Sequence, residues 1–428
     1  MPALIALAVL LEAVWTQLLA RAAVLPLPRL LLWYSAAALF YLIAVWLVLH
    51  GPGRLRLGRK SLWFLFAAAV IFRLTLLPLA PASGSQLWRF HWDGQIEHAG
   101  FNPYVWAPNN PLFNPIRTPA DAAIPSPGRA AIHPPLAQLL AHQNYNWFPG
   151  LRSEKILLVV FDLLLLALLG RMLAARRLPP EWALIYGWSP LAVLEVAGHG
   201  HIEPIAALLV LLALAACERR ARSAGVAIAA AAATLWYALA LVPVVAVAAG
   251  NRWARLLRWL FATAVVLSLP FWVASSRFVL GDIGRNLRAA AAAPSFNASL
   301  YALAQAWFGS HAGAVLACAL GALVIVLACV RCMPPLRAAF WILGVLLLVL
   351  PQVQPWFLLW LLPLLVFFPE PAWLYFSVAV VWAYLIGRSP PWTALEYAPL
   401  YLLLAWQAWC SRSKTAAAAT LAQPELRL

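Results

Sequence analysis

The stretch AGAVLACALGALVIVLACV, residues 312–330, contains no charged side chain and no proline. A helix that crosses the hydrocarbon core of a bilayer needs about 20 mostly apolar residues, and similar runs follow one another along almost the whole sequence. Hydrophobic residues make up 64% of the chain and charged residues only 10%, whereas a soluble domain carries about 25% charged residues. Because backbone groups in lipid must be hydrogen-bonded within their own segment, the runs are expected to be helices. The composition therefore predicts an all-α polytopic membrane bundle.

The apolar runs also predict how the bundle is organised. We expect about 12 to 14 membrane segments, some of them short or re-entrant, in a single domain over residues 1–428. The stretches 182–196 and 356–368 are each predicted as one helix, and the stretch 276–299 is predicted as an outer loop. The stretch 223–249 is predicted to be a hairpin of two short helices with its tip near Trp236 and Tyr237. Short paired segments at membrane depth indicate a cavity lined by protein.

The charged residues predict the orientation. The chain has 30 Lys and Arg against 14 Asp and Glu, a net charge of +16. By the positive-inside rule the basic clusters between the apolar runs face the cytoplasm. Both termini and the tail 412–428 are then inside, the polar segment 83–152 is outside, and the chain is a multi-pass protein of the inner (plasma) membrane. No zinc-finger, helix-turn-helix or RNP-like pattern accompanies the charge, so nucleic acid is not an expected partner.

Segment 83–152 carries the first group of candidate functional residues. Long loops of this kind are usually functional. Asp93 and Glu97 are four residues apart, so one helical turn places both carboxylates on one face, where paired carboxylates can do acid–base work. Arg89 lies one turn earlier and can bind a carboxylate or a phosphate through two hydrogen bonds. The alternative is a solvated surface helix with an incidental charge pair.

A second group lies in EVAGHGHIEP, residues 195–204. Imidazoles with nearby carboxylates can bind a divalent metal, and ionisable groups at membrane depth indicate a function because they are costly there. His201 and Glu203 are the predicted ligands, and a divalent cation such as Mg²⁺ or Mn²⁺ is the one cofactor expected. The alternative is that the histidines only hydrogen-bond to backbone.

Two further basic residues, Arg73 and Arg285, are predicted near the outer face, against the positive-inside trend. A lipid-linked phosphate at that level would explain them. Ordinary anionic headgroups are the alternative.

Together these motifs resemble the GT-C superfamily of polytopic glycosyltransferases, and most closely its bacterial mannosyltransferases that use polyprenyl-phosphate sugars. The resemblance extends from residue 73 nearly to the end of the chain. Its parts are the first-loop motif at Arg89, Phe90, Asp93, Gly94, Gly100, Asn102, Pro103 and Tyr104, the motif at His133, Pro134, Pro135, Leu136 and Gln138, the motif at Pro190, Glu195, Gly200, His201 and Glu203, the Phe-Asn-x-Ser stretch at 296–299, the motif that begins at Gln354, and Glu396, Tyr397 and Pro399.

The resemblance implies transfer of a mannose-like hexose, with inversion, from a polyprenyl-phosphate sugar to a lipid or glycan acceptor on the outer face. On this hypothesis the donor phosphate is bound by Arg89, Arg73 and Arg285, the last two because of their predicted place near the outer face. The resemblance implies substrate or acceptor contacts at Asn102, Tyr104, His133, Gln138, Gln354, Trp356 and Glu396. The family has an Asp, thought to be the catalytic base, three residues before the first-loop Arg, and here Gln86 stands in that place. Asp93, and after it Glu97, are the predicted bases instead.

Two other functions remain open from the sequence. A transporter or flippase of a lipid-linked saccharide would also need many helices and a polar cavity, although the chain has no evident internal repeat of the kind common in transporters. A non-catalytic scaffold in the cell envelope is the other alternative, because Gln86 cannot take up a proton.

Overall fold

A computed structural model describes residues 1–51, 58–82, 84–273, 279–309, 311–385 and 392–421. Within these ranges the regular structure is helical, apart from one isolated backbone bridge between Phe296 and Gln352. The α-helices are α1 (Pro2–Arg21), α2 (Leu27–His50), α3 (Arg59–Leu76), α4 (Gln86–His98), α5 (Pro135–Trp147), α6 (Leu151–Ala175), α7 (Leu184–Gly187), α8 (Pro190–Ala192), α9 (Glu203–Ala216), α10 (Ala221–Ala232), α11 (Val242–Ala248), α12 (Trp253–Val273), α13 (Val279–Ala291), α14 (Leu300–Phe308), α15 (Ala312–Val330), α16 (Pro335–Val349), α17 (Leu362–Leu365), α18 (Pro371–Ala379) and α19 (Trp392–Leu421).

Several elements are not α-helical. The 3₁₀ segments are Pro111–Ile116, Pro119–Ala123, Pro180–Ala183, Trp236–Leu241, Gly250–Arg252, Pro355–Trp360 and Val380–Leu385, and Val193–Gly198 is a π-helix. Many of these pieces begin at a proline, which lacks the N–H that would continue a preceding helix. As a result, the stretches 182–196 and 356–368, each predicted as one helix, are broken into short pieces.

Five segments within the described ranges are long and apolar enough to cross a membrane: Pro2–Arg21, Leu27–His50, Leu151–Ala175, Gly250–Trp272 and Ala312–Val330. Other apolar helices are shorter, and α10 has only 12 residues. At 1.5 Å per residue, α10 rises about 18 Å, well short of the roughly 30 Å hydrocarbon core. The chain therefore forms an all-α membrane bundle of full-length and short segments, and the predicted hairpin over 223–249 is one of the short ones.

The two ends of that hairpin have opposite surroundings. At one end Arg252 donates to the backbone carbonyls of Arg219 and Glu218, which joins two of the basic clusters. At the other end the backbone N–H of Leu136 donates to Ala233 O at 2.7 Å. The segment predicted to face outward thus lies opposite the predicted cytoplasmic clusters.

The long polar segment is ordered by its own packing. Helices α4 and α5 lie against each other, and a Cβ added at Gly94 would stand 2.5 Å from the carbonyl oxygen of Ala141. Trp92 and Phe113 form an edge-to-face pair at 5.5 Å in a small buried cluster of this segment. This packing fixes the polar face of α4.

Some predicted features differ or cannot be compared. The stretch 276–299, predicted as an outer loop, contains α13, an amphipathic helix whose Ile283 is buried against Tyr104. Residues 52–57, 274–278, 386–391 and 422–428 lie outside the described residues, and they include part of the first basic cluster and the end of the predicted cytoplasmic tail.

Candidate active site

The first-loop carboxylate predicted as the base lies in a closed polar cluster. Asp93 is fully buried, and both of its oxygens have partners. Arg89 Nε donates to Oδ1 at 2.7 Å, and Gln138 Nε2 donates to Oδ2 at 3.0 Å. Arg89 Nη1 also donates to the carbonyl oxygen of Arg129 at 2.7 Å. Asp93 therefore holds the guanidinium of Arg89 in one orientation, while Arg89 Nη2 has no partner within the described part of the chain.

Glu97 lies one turn further along α4 and has a different environment. Burial, and after it the negative charge of Asp93, raise the pKa of Glu97 to about 9. Its Oε2 lies 3.9 Å from His142 Nδ1 on α5, and its Oε1 has no hydrogen-bond partner among the residues described. At neutral pH this carboxyl group therefore carries a proton.

His133 lies between the two predicted groups. Burial, and then the positive charges of Arg89 and His201, lower the pKa of His133 to about 4. Its carbonyl oxygen accepts a 2.7 Å hydrogen bond from the hydroxyl of Tyr104, and Asn102 Oδ1 in turn accepts from the N–H of Tyr104. Asn102 and Tyr104 thus position the backbone at His133, whose imidazole is neutral at pH 7.

The second predicted group forms a compact cluster. Glu195 Oε2 lies 3.3 Å from His199 Nδ1 and 3.3 Å from His201 Nε2, and the hydroxyl of Tyr384 donates to both Glu195 oxygens at 3.0 Å. The π-helix Val193–Gly198 and the positive φ of Gly200 (+77°) direct the three side chains toward one point. Such π segments are frequent at functional sites.

The predicted metal ligands are only partly brought together. His201 belongs to the cluster with Glu195 and His199, whose ligand atoms all lie within 4.8 Å of one another. Glu203, predicted as the second ligand, is not in this set. It is fully buried at the start of α9, and neither of its oxygens has a partner in the described ranges.

The two clusters adjoin each other through the start of α4. Ser85 Oγ donates to the carbonyl oxygen of His199 at 2.7 Å, and Leu87 packs so closely on Gly200 that an added Cβ would stand 2.7 Å from its Cδ2. Gln86 lies between these two contacts as the first residue of α4. The first-loop cluster and the histidine cluster therefore form one continuous polar region.

Aromatic rings line this region on a further side. Trp356 stacks on His201 with ring centroids 4.1 Å apart. Trp360 stacks on Tyr237, and also on Phe357, with centroids 4.4 Å apart in each pair. These rings come from the 3₁₀ segment Pro355–Trp360, which begins directly after the half-buried Gln354.

An apolar cleft of about 200 Å³ opens beside the polar region. Its walls are residues of α10, α12 and the 3₁₀ segment Trp236–Leu241, together with Tyr104 and Pro135. The indole N–H of Trp236 donates to the carbonyl oxygen of Ile132 at 2.8 Å, so the cleft is fixed to the chain next to His133.

Two of the predicted phosphate ligands pair with carboxylates. Arg73 is fully buried, pairs with Asp162, and donates to the carbonyls of Ala69 and Gly187 at 3.0 and 2.6 Å. It links α3 to α6. The side chain of Arg285 on α13 is 66% exposed and pairs with Asp282. Phosphate binding by these two residues stays a prediction.

Glu396 lies in a separate polar contact. Asn297 Nδ2 donates to Glu396 Oε2 at 2.8 Å, and the hydroxyl of Tyr397 donates to the carbonyl of Asn297 at 2.9 Å. The backbone N–H of Val353 donates to Phe296 O at 2.9 Å. The three late motifs are therefore joined to each other, and they reach the site through the segment that carries Trp356.

Three residues that contact the site were not predicted from the sequence as site residues. Tyr384, Arg129 and Tyr237 contact it from positions distant in sequence from the groups they touch or adjoin. Tyr237 was noted only as a hairpin tip. The sequences around Arg129 and Tyr384 contain no signal that would have singled them out.

Carboxylates, histidines and an arginine thus meet beside the ordered segment 84–152 of a helical membrane bundle. The profile of glycosyltransferase family 87 matches residues 131–351, slightly more than half of the chain. The chain belongs to this family and is a membrane glycosyltransferase. The matched region includes His133, Gln138 and the histidine cluster, whereas Arg89 and Asp93 precede it. No curated protein and no solved structure gives a significant match.

Proposed function

We propose that this glycosyltransferase transfers a mannose-like hexose from a polyprenyl-phosphate sugar to a lipid or glycan acceptor. The reaction takes place at the outer face of the plasma membrane, with inversion at the anomeric carbon. Both termini are then cytoplasmic, as the basic clusters predict.

The observation that carries the proposal is the position of Arg89 relative to the apolar cleft. Nη2 of Arg89 has no partner in the described chain, and its orientation is fixed by Asp93. Tyr104 and Pro135 line the cleft next to His133, which lies near enough to Arg89 to feel its charge. A guanidinium group near an apolar cleft suits a ligand with a phosphate head and a hydrocarbon tail, because guanidinium binds phosphate strongly.

The proposed chemistry is one displacement at the anomeric carbon. The acceptor hydroxyl oxygen forms the new bond to this carbon while the bond to the lipid phosphate oxygen breaks, and the polyprenyl phosphate leaves with the electron pair. Arg89 stabilises the charge that develops on that phosphate, and fixed donors of this kind are usually the largest catalytic contribution.

A base must remove the proton of the acceptor hydroxyl group. Both Asp93 oxygens are already hydrogen-bonded, so we assign Asp93 the positioning of Arg89. We assign the role of general base to the ionised form of Glu97, whose Oε1 has no hydrogen-bond partner among the residues described. Trp356, which stacks on His201 through one face, supplies its other face for a sugar ring.

The test is transfer of labelled mannose from polyprenyl-phosphate-mannose in membranes that contain the protein. We expect Arg89→Gln to reduce the rate by about 10²-fold or more, as loss of one oriented donor does elsewhere. Arg89→Lys should recover only part of it, because a lysine cannot reproduce the guanidinium geometry. Arg152→Gln, which removes an exposed positive charge at the start of α6, is the matched control and should leave the rate unchanged.

Other results would lead to the alternatives. Transfer that is unaffected by Arg89→Gln would overturn the proposed phosphate site. If purified protein moved the labelled lipid across proteoliposomes without transferring the sugar, the transporter would replace the proposed activity. If it did neither with any polyprenyl-phosphate hexose, the scaffold would be the better account.

A further inference from the structure

We infer that Glu195, His199 and His201 form a metal site of two imidazoles and one carboxylate, suited to Zn²⁺ or a similar ion. Binding of the ion does not depend on the proposed function, but any part of the ion in transfer does.

The spacing of the three side chains supports a metal more than a hydrogen-bonded triad. Glu195 Oε2 lies 3.3 Å from a nitrogen of each histidine. Hydrogen bonds between charged partners are shorter, about 2.7–2.9 Å. Four ligands placed tetrahedrally at about 2.05 Å from a zinc ion stand about 3.3 Å from one another, a separation that follows from ordinary Zn–N and Zn–O lengths.

A second observation is that buried polar atoms of His201 and of the nearby Glu203 lack hydrogen-bond partners. His201 is fully buried, its Nδ1 has no hydrogen-bond partner in the described ranges, and the contact described for its Nε2 is the 3.3 Å approach to Glu195 Oε2. Both carboxylate oxygens of Glu203, which begins the next helix, likewise have no partner in those ranges. Buried polar atoms without partners are rare, and a bound ion is one ordinary explanation for them.

The surroundings also have the features of a metal site. Tyr384 donates to Glu195 at 3.0 Å, and outer hydrogen bonds of this kind orient metal ligands. Trp356 covers one face of His201 and fixes the plane of its ring. Three protein ligands leave a fourth position open, as in catalytic rather than structural zinc sites.

The two imidazoles and one carboxylate favour some metal ions over others. Mg²⁺ prefers oxygen ligands in an octahedron, whereas imidazole suits Zn²⁺, Cu²⁺, Fe²⁺ and Ni²⁺. We therefore expect Zn²⁺ to bind more tightly than the Mg²⁺ or Mn²⁺ that the sequence suggested. The ion would add positive charge beside His201 and hence near His133 and Arg89.

The experiment measures metal content apart from activity. The full chain, purified in nanodiscs with a tag free of histidine, is stripped with a chelator, exposed to ZnCl₂, desalted and analysed for zinc. We expect about one zinc per chain in the wild type and at least a tenfold weaker affinity in His199→Ala, in His201→Ala and in Glu195→Gln. His98→Ala, which removes an exposed histidine outside the cluster, should bind zinc as the wild type does.

A second measurement covers the case in which the variants fail to fold. X-ray absorption of the zinc-loaded wild type should show imidazole scattering from two histidines at about 2.0 Å. No retained zinc, a spectrum without imidazole, or full binding by the His199→Ala/His201→Ala double variant would overturn the inference. Zinc binding without glycosyl transfer would uphold the metal site and remove the proposed function, and the reverse result would do the opposite.

Discussion

At the scale of single residues, the two carboxyl groups of α4 differ in what surrounds them. Burial raises the pKa of Asp93, but the charge of Arg89 and the hydrogen bonds from Gln138 and Arg89 oppose that rise. Glu97 has no comparable donor, and burial keeps it protonated until about pH 9. Two carboxyl groups four positions apart are thus suited to two different tasks, which are positioning and proton transfer.

This difference predicts the pH dependence of the reaction. If Glu97 takes the acceptor proton, only its ionised form is active, so the rate should rise as the pH increases from 7 toward 9 and level off above that value. Initial rates of mannose transfer across this range measure the effect. In Glu97→Gln the rise should disappear. A wild-type rate that is already constant from pH 6 upward would exclude Glu97 as the base.

Asp93→Asn should change the same profile in a defined direction. The negative charge of Asp93 contributes to the raised pKa of Glu97, so its removal should shift the rising part of the profile to lower pH. The maximal rate should also fall, by about tenfold or more, because Arg89 loses the partner that orients it. A merely structural role for Asp93 would lower the rate without moving the profile.

Sequence reasoning at this scale can bring together residues that belong to motifs. Arg89, Asp93 and Gln138 were all predicted site residues, and Asp93 contacts the other two. Arg73 shows where such reasoning ends, because its predicted role followed from its place near the outer face. Its partner Asp162 lies in another apolar run, and no spacing rule connects the two. A buried charge with a distant partner cannot be distinguished by sequence alone from one that awaits a ligand.

At the scale of elements, the contact of α4 with α5 determines the geometry of the first-loop cluster. Gly94→Ala should force the helices apart, because the new methyl group would stand 2.5 Å from the Ala141 carbonyl oxygen. We expect a loss of about 1–3 kcal/mol in stability, as for other overpacked contacts, and a lower transfer rate because Gln138 moves away from Asp93. Thermal unfolding in detergent and the transfer assay measure the two effects.

The matched control is Gly170→Ala, at a helical glycine of α6 where nothing lies within 4 Å of the added Cβ. It should be neutral or slightly stabilising, since alanine favours helix. Equal behaviour of the two variants would contradict the close contact of α4 and α5.

The joint between α19 and the stretch 296–299 can be tested in a similar way. Glu396→Gln keeps an acceptor for Asn297 Nδ2 and should leave stability nearly unchanged. Glu396→Ala leaves that buried donor unpaired and should cost about 1–3 kcal/mol. If both variants lost transfer activity while both stayed folded, Glu396 would instead have the acceptor-binding role that the family resemblance implies.

The elements show which local signals are reliable. Long uncharged runs such as 312–330 became continuous helices, as hydropathy predicts. The stretches 182–196 and 356–368 did not, because Pro190 and Pro363 begin new short helices where the apolar pattern continues. Apolar periodicity reports burial, and within a membrane bundle a broken helix can be as fully buried as a continuous one.

At the scale of the whole molecule, the proposed site requires that segment 83–152 face the outside. In a background without native cysteines, Ala122→Cys, at an exposed position of that segment, should react with a membrane-impermeant maleimide in intact cells. Glu218→Cys, at an exposed position of the opposite end, should react only after the cells are permeabilised. The reverse pattern would place the polar region in the cytosol and refute an outer-face reaction.

The overall class of the protein was predictable because composition alone decides between lipid and water as solvent. The arrangement of the site was not, because it depends on contacts such as that of Tyr384 with Glu195, between chain segments that no pairing rule aligns. Motif order indicated which segments carry functional residues, and only the folded chain showed which of them meet.

The shortness of α10 has a consequence for the two substrates. In the proposed orientation α10 rises about 18 Å from the cytoplasmic side, so its tip, which contacts Leu136, lies inside a hydrocarbon core of about 30 Å. The carrier lipid can then keep its isoprenoid tail in hydrocarbon throughout a turnover. A water-soluble acceptor must instead move from the outer aqueous phase to this depth, and a thicker bilayer makes that path longer. In nanodiscs of increasing acyl-chain length, the KM for a soluble acceptor should therefore rise, while the KM for the donor should stay the same.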